Sequence, residues 1–156
     1  MGAIFLDVDG VLCTPLSVAL NRMLRLPMDR QRFDPAALFW LRRLVKKTGA
    51  AVVLSSSWRE ELYLDEPFCR AVVHNLYRCL ARNGTPIADA TPLLTDADKG
   101  AEIAAWLDAH PCRAYAVLDD RNCFAGSPAV GEHWVPVDPA RGFRHKDYLA
   151  ARRMLR

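Results

Sequence analysis

No apolar stretch in this sequence is long enough to cross a bilayer: residues 50–54 and 114–118 are among the longest, far short of the roughly 20 that a spanning helix needs. A soluble chain is expected, with no membrane partner. The start shows no basic leader followed by a long hydrophobic segment and a cleavage site, so no secretory signal is expected and the reading is cytoplasmic. There is no C-x-x-C pair and no zinc-type spacing of cysteine to histidine. The five cysteines, Cys13, Cys69, Cys79, Cys112 and Cys123, are odd in number and scattered, which suits reduced, structural thiols. The histidines His74, His110, His133 and His145 show no ligand spacing either. Repeats and low-complexity segments are missing, which excludes solenoids and disordered tails. What remains is ordinary globular composition, 156 residues with 51% hydrophobic and 25% charged, enough for one domain over residues 1–156.

The net charge is only +3, but it is unevenly spread. Basic residues crowd two segments, 20–47 and 141–156, while the middle of the chain is acidic. A basic entrance beside an acidic centre suits an anionic substrate held near a metal, although solvated helix faces also produce such runs.

Residues 3–8 form a β-branched apolar run stopped at Asp9-Gly10, too short for a helix and expected as a buried strand. Asp34-Pro35 supplies an N-cap and a first-turn proline for a helix ending near Gly49. Strands are expected over 50–54, 86–88, 114–118 and 133–137, and helices over 67–82, 98–109 and 146–156. Pro136 puts the last strand at a sheet edge, because proline cannot donate to the ladder. This alternation predicts an α/β fold: a doubly wound parallel sheet in three layers, with ligands at the carboxyl ends of the strands near the switch in strand order.

Chemistry gathers at those ends. The first strand ends in Asp7-Val8-Asp9-Gly10-Val11, two carboxylates expected to point the same way. The second ends in Ser55-Ser56-Ser57-Trp58-Arg59, hydroxyls and a guanidinium where a phosphate would lie. The strand over 114–118 ends in Asp119-Asp120-Arg121, and Lys99 stands at a helix start, where it can face an anion. Asp7, Asp9, Asp119 and Asp120 would bring about four negative charges into one crevice, which calls for a cation. Hard oxygen donors with no His or Cys cluster favour Mg2+.

D-V-D-G-V after a first strand, a serine after the second, a lysine ahead of a helix and D-D after a later strand resemble, in that order, the four motifs of the haloacid dehalogenase (HAD) superfamily. Within it, S-S-S-W-R, K-G-A-E-I-A-A-W-L and V-L-D-D-R look most like the small HAD-type domain of bacterial RNA-repair proteins. They are also similar to the phosphatase half of phage polynucleotide kinase/phosphatase, which carries D-x-D-G-T and D-D-R. The resemblance covers about residues 3–138.

The resemblance implies Asp7 as a nucleophile giving an aspartyl-phosphate, and Asp9 as general acid and base. It implies that Ser55, with Ser56 beside it, holds a phosphoryl oxygen and that Lys99 neutralises that oxygen and Asp7. Asp120 would ligate Mg2+ with the Asp7 side chain and the Asp9 carbonyl, with Asp119 in support or sharing the role. Arg59 is a candidate further phosphate contact. Dehalogenases of the superfamily lack the second aspartate, so Asp9 favours phosphoryl transfer. Only residues 12–31 separate the first motif from the first helix, a flap in place of a cap domain. An open crevice suits a bulky substrate such as a nucleic-acid 3' or 5' phosphate end, with Arg22, Arg25, Arg30 and Arg32 of the flap reaching its backbone. Nucleotides, sugar phosphates and phosphoproteins are alternative substrates, and a non-catalytic module that binds nucleic-acid ends is an alternative function.

Overall fold

Strand β1 (Gly2–Leu6) alternates sides residue by residue: Ile4 and Leu6 enter one apolar cluster, Ala3 and Phe5 another, so both faces of the strand must be covered. The computed structural model describes residues 2–64 and 66–156. After β1 come α1 (Pro15–Met23), α2 (Pro35–Thr48), β2 (Ala51–Leu54), α3 (Pro67–Asn83), β3 (Ile87–Ala90), α4 (Lys99–Ala109), β4 (Ala114–Asp119), the short α5 (Pro128–Gly131), β5 (Trp134–Pro136) and α6 (His145–Met154).

Among the described residues the five strands pair in parallel in the order β3-β2-β1-β4-β5. Leu41 and Leu44 of α2, Leu76 and Leu80 of α3, and Tyr148 and Ala151 of α6 cover one face. Ile103 and Trp106 of α4 and Val130 of α5 cover the other. This is the expected three-layer α/β fold, with β5 and its proline at the edge. Strand order reverses between β1 and β4, so the crevice above those two strands is the place for a site. No helix among the described residues is long and apolar enough to span a membrane.

The flap after β1 contains the helix α1, an element the sequence expectations do not include. Thr14 and Ser17 form a reciprocal capping box that starts α1, a signal present in the sequence as T-P-L-S but with Ser in the usual Glu/Gln position. The flap is anchored by Asp34. Its Oδ1 accepts from the backbone N–H groups of Ala36 and Ala37, capping α2. Its Oδ2 accepts from Thr14 Oγ1 at 2.7 Å and from the Arg144 guanidinium at 2.9 Å, just before α6.

Burial opposes the Asp34 carboxylate, but the hydrogen bonds from Arg144 and Thr14 outweigh it and hold its pKa below the ordinary value. A carboxyl with a depressed folded pKa contributes stability that is present above its unfolded value, about 4, and is lost as pH falls through the folded value. Urea midpoints measured from neutral pH down to about pH 3 should therefore fall on the acid side for the natural protein. Asp34→Asn, already short by about 1–2 kcal/mol at neutral pH, should show a shallower acid fall.

Candidate active site

The register of the sheet aligns three polar side chains in one rung. Leu6 pairs with Leu54 and with Leu118, so the next residues, Asp7, Ser55 and Asp119, lie abreast. The ladder continues that one step: Asp7 N–H donates to Leu118 O and Ser55 N–H to Leu6 O, each at 3.0 Å. All three share the parity of Phe5, Val53 and Val117, whose side chains face α4. That parity explains why Lys99, the first residue of α4, meets Asp7 and Asp119.

Lys99 Nζ donates to Asp7 Oδ1 at 3.1 Å and to Asp119 Oδ2 in a short contact. Burial works against the ammonium, but the two carboxylates outweigh it and raise the Lys99 pKa above its ordinary value, so the group is charged at neutral pH. Its position is set by Asp98, which the sequence reading treated only as the start of a helix. Asp98 Oδ1 accepts from Ala101 N–H as the N-cap, and Oδ2 accepts from Gly126 N–H at 2.6 Å. Gly100 N–H also donates to Cys123 O. The loop after β4 thus fixes the start of α4.

Carboxylate oxygens of Asp7, Asp119 and Asp120 lie within 4.8 Å of one another. Three acids against one ammonium leave an excess of negative charge. Burial raises the Asp119 pKa, with Lys99 opposing and Asp7 assisting; burial and then Asp7 raise that of Asp120. Asp119 has both oxygens engaged, one by Lys99 and one by Arg121 N–H. Arg121 approaches Asp120 loosely, at 3.9 Å. Gly10 (φ 74°) passes so close over Asp120 that a Cβ would sit 2.7 Å from its Cγ.

Asp9 departs from the expected picture. The chain turns after Val8, whose carbonyl collects the N–H groups of Val11, Leu12 and Cys13, so the Asp9 carboxylate does not join that of Asp7 in the cluster with Asp119 and Asp120. The Asp9 side chain is exposed and stands outside the three-carboxylate cluster. Its Oδ2 accepts from Trp58 Nε1 at 2.9 Å, and Trp58 leans on Phe33. Cys13, on the same turn, has its thiol pushed up to about 12 by burial and the nearby Asp9 and Asp7; it stays protonated and is no nucleophile at neutral pH.

The second motif divides. Ser55 is fully buried, and its Oγ has no hydrogen-bond partner among the described residues. A buried hydroxyl without a partner costs about 1–3 kcal/mol unless something supplies one. Ser56 and Arg59 do not take the substrate-facing positions expected of them. Ser56 Oγ caps the following 3-10 turn by accepting from Trp58 N–H. Arg59 is only 3% exposed, and every donor of its guanidinium is used inside the protein. Nε donates to Thr91 O, one terminal nitrogen to Ser55 O and Ser56 O, and the other to Pro92 O and the Glu102 carboxylate. Arg59 clasps the ends of β2 and β3 to α4. None of its N–H groups is left for a phosphate.

The flap arginines Arg22, Arg25, Arg30 and Arg32 are all exposed. No curated protein matches the chain. A family model described as the HAD domain in Swiss Army Knife RNA repair proteins matches residues 3–148. With that match covering the three strand-end motifs and Lys99 at the start of α4, the chain belongs to this family of HAD domains of RNA repair proteins.

Proposed function

We propose that the protein is a Mg2+-dependent phosphomonoesterase that works through an aspartyl-phosphate and acts on the phosphorylated end of a nucleic acid. The observation that carries this reading is the convergence at the switch point: Asp7, Asp119 and Asp120 in one cluster, with Lys99 bound to the first two. The orphaned Ser55 hydroxyl supports it, since a buried donor beside Asp7 needs an acceptor that a phosphoryl oxygen would provide.

The donor set fits Mg2+: hard oxygens only, an excess of negative charge and no His or Cys. Asp7 and Asp120 would hold the ion together with the Asp9 carbonyl, and Asp119, engaged by Lys99 and Arg121, would orient the cluster from behind. When bound, the ion would supply neutralisation of the negative charge on the phosphoryl oxygens.

In the first half-reaction an oxygen of Asp7 forms a bond to phosphorus while the ester oxygen leaves. Asp9 gives that oxygen its proton, then removes one from the water that cleaves the acyl phosphate. Trp58 holds one oxygen of Asp9 and leaves the other for the proton. Ser55 and Lys99 stabilise the charge that grows on the transferring group.

The flap, one helix and a turn, supports a bulky substrate over a small metabolite, and the family's link to RNA repair favours an RNA end. The test is phosphate release from 4-nitrophenyl phosphate, nucleotides, sugar phosphates, phosphopeptides and oligoribonucleotides with 3' or 5' phosphates. Activity with Mg2+, abolished by EDTA and highest on an oligoribonucleotide end, is expected. Binding of ends without turnover would replace this reading with a non-catalytic module.

Gly10→Ala should separate metal binding from the rest. Its Cβ would displace Asp120, and the left-handed backbone adds strain of about 1 kcal/mol or more. The expected result is at least a tenfold rise in half-saturating Mg2+, about 1.4 kcal/mol, in a protein that still melts cooperatively. An unchanged Mg2+ titration would remove Asp120 from the ligand set.

A further inference from the structure

The two basic segments that stand apart in the sequence meet in space. Phe39, Arg42, Arg43, Lys46 and Lys47 recur at helical spacing along one stripe of α2. Together with Arg152 of α6 they line a groove of about 580 Å³ floored by Tyr148. None of its lining residues is acidic, and none of the five cations pairs with a carboxylate among the described residues. The groove is preformed: the Trp40 ring packs on His145 and Tyr148 at 4.7 and 5.4 Å, holding α2 against α6, and Arg43 lies over the Trp40 ring. Five like charges with no carboxylate partner among the described residues repel one another and raise the local potential, a cost that an anionic ligand offsets.

We propose that this groove is a second, non-catalytic site that binds the sugar–phosphate backbone of single-stranded RNA. The cations recur with each turn of α2, about 5.4 Å, so a flexible chain with one phosphate per nucleotide can meet them in succession. Phe39, 54% exposed at one end of the stripe, offers a ring on which an unpaired base can stack, a contact worth about 1–3 kcal/mol in single-strand binding. A bilayer fits less well, because these cations line a groove instead of a flat face. Both helices begin at the crevice end of the sheet, where Asp34 and Arg144 tie them together, so a bound strand would run along the flank of the domain below the crevice. The groove's chemistry does not depend on the phosphatase reading.

The test uses a fluorescent oligoribonucleotide of about twelve nucleotides without terminal phosphates, so that the crevice has nothing to hold. Binding to the whole chain is followed by anisotropy over a range of salt. Arg42→Gln combined with Lys46→Gln should weaken binding at least tenfold at low salt and reduce the slope of log affinity against log salt by about 1.4. Phe39→Ala should weaken binding with the slope unchanged. Hydrolysis of 4-nitrophenyl phosphate and the thermal midpoint should stay as in the natural protein. Failure of the natural protein to bind, or affinity within twofold in the double variant, would overturn the proposal. So would binding to phosphatidylserine vesicles that needs the same cations when RNA does not bind. A protein that binds the RNA but releases no phosphate from any substrate would sink the phosphatase reading and leave the groove standing.

Discussion

Asp7→Asn should reduce phosphate release by at least about a thousandfold, the scale expected when a covalent nucleophile is removed. The substitution keeps the side chain's shape, and Lys99 retains its contact with Asp119, so the thermal midpoint should change by only a few degrees, corresponding to about 1 kcal/mol. Asp9→Asn should behave differently. With 4-nitrophenyl phosphate, whose leaving group needs little help from a proton, it should give a burst of about one nitrophenolate per active site followed by slow turnover. With an alkyl ester the burst itself should vanish. The contrast distinguishes a group that bonds phosphorus from one that moves protons. Retention of more than a tenth of the natural rate by Asp7→Asn would place the nucleophile elsewhere, and an Asp9→Asn protein equally slow with both esters would remove the acid-base assignment.

The strand ends were legible because β-strands obey a simple parity. Once residues 3–8, 50–54 and 114–118 are recognised as buried strands, the polar residue that breaks each apolar run must stand at its carboxyl end, and in a parallel sheet those ends lie on the same edge; that the three strands are neighbours is given by the strand order of the structure. Element boundaries moved by a few residues: β3 begins at Ile87 and runs to Ala90, past the stretch expected over 86–88, since Asp89 breaks the apolar pattern there. Less legible was anything decided by a turn. That Asp9 leaves the carboxylate cluster depends on the left-handed Gly10 and on three N–H groups converging on Val8 O, which no spacing rule reveals. Asp98 carries a recognisable N-cap signal, but its second bond, to Gly126, is a long-range contact. Arg59 was misread for a similar reason. A guanidinium beside serines suggests an anion, and only the fold brings Glu102 and the carbonyls of Thr91 and Pro92 around it.

Arg59 should therefore be among the most costly single side chains to remove. Its five N–H groups are all used inside the protein, four of them on buried acceptors, and truncation would leave Glu102 as a buried charge whose remaining polar contact among the described residues is Leu94 N–H. Arg59→Met should destabilise the protein by about 3–5 kcal/mol, the range for breaking a buried ion pair from one side, read as a large drop in the urea midpoint. Arg59→Lys keeps the charge but offers three donors instead of five and no planar fork, so it should recover only part of the loss. The double variant Arg59→Met with Glu102→Met should cost less than the sum of the single changes, because it leaves no unpaired charge. Since the clasp also holds α4 in place, Arg59→Lys should lower the rate constant for hydrolysis, through Lys99, more than it raises the Michaelis constant. An Arg59→Met protein within about 1 kcal/mol of the natural one would refute the clasp. If Arg59→Lys instead left stability unchanged and raised the Michaelis constant alone, the guanidinium would be a phosphate contact after all.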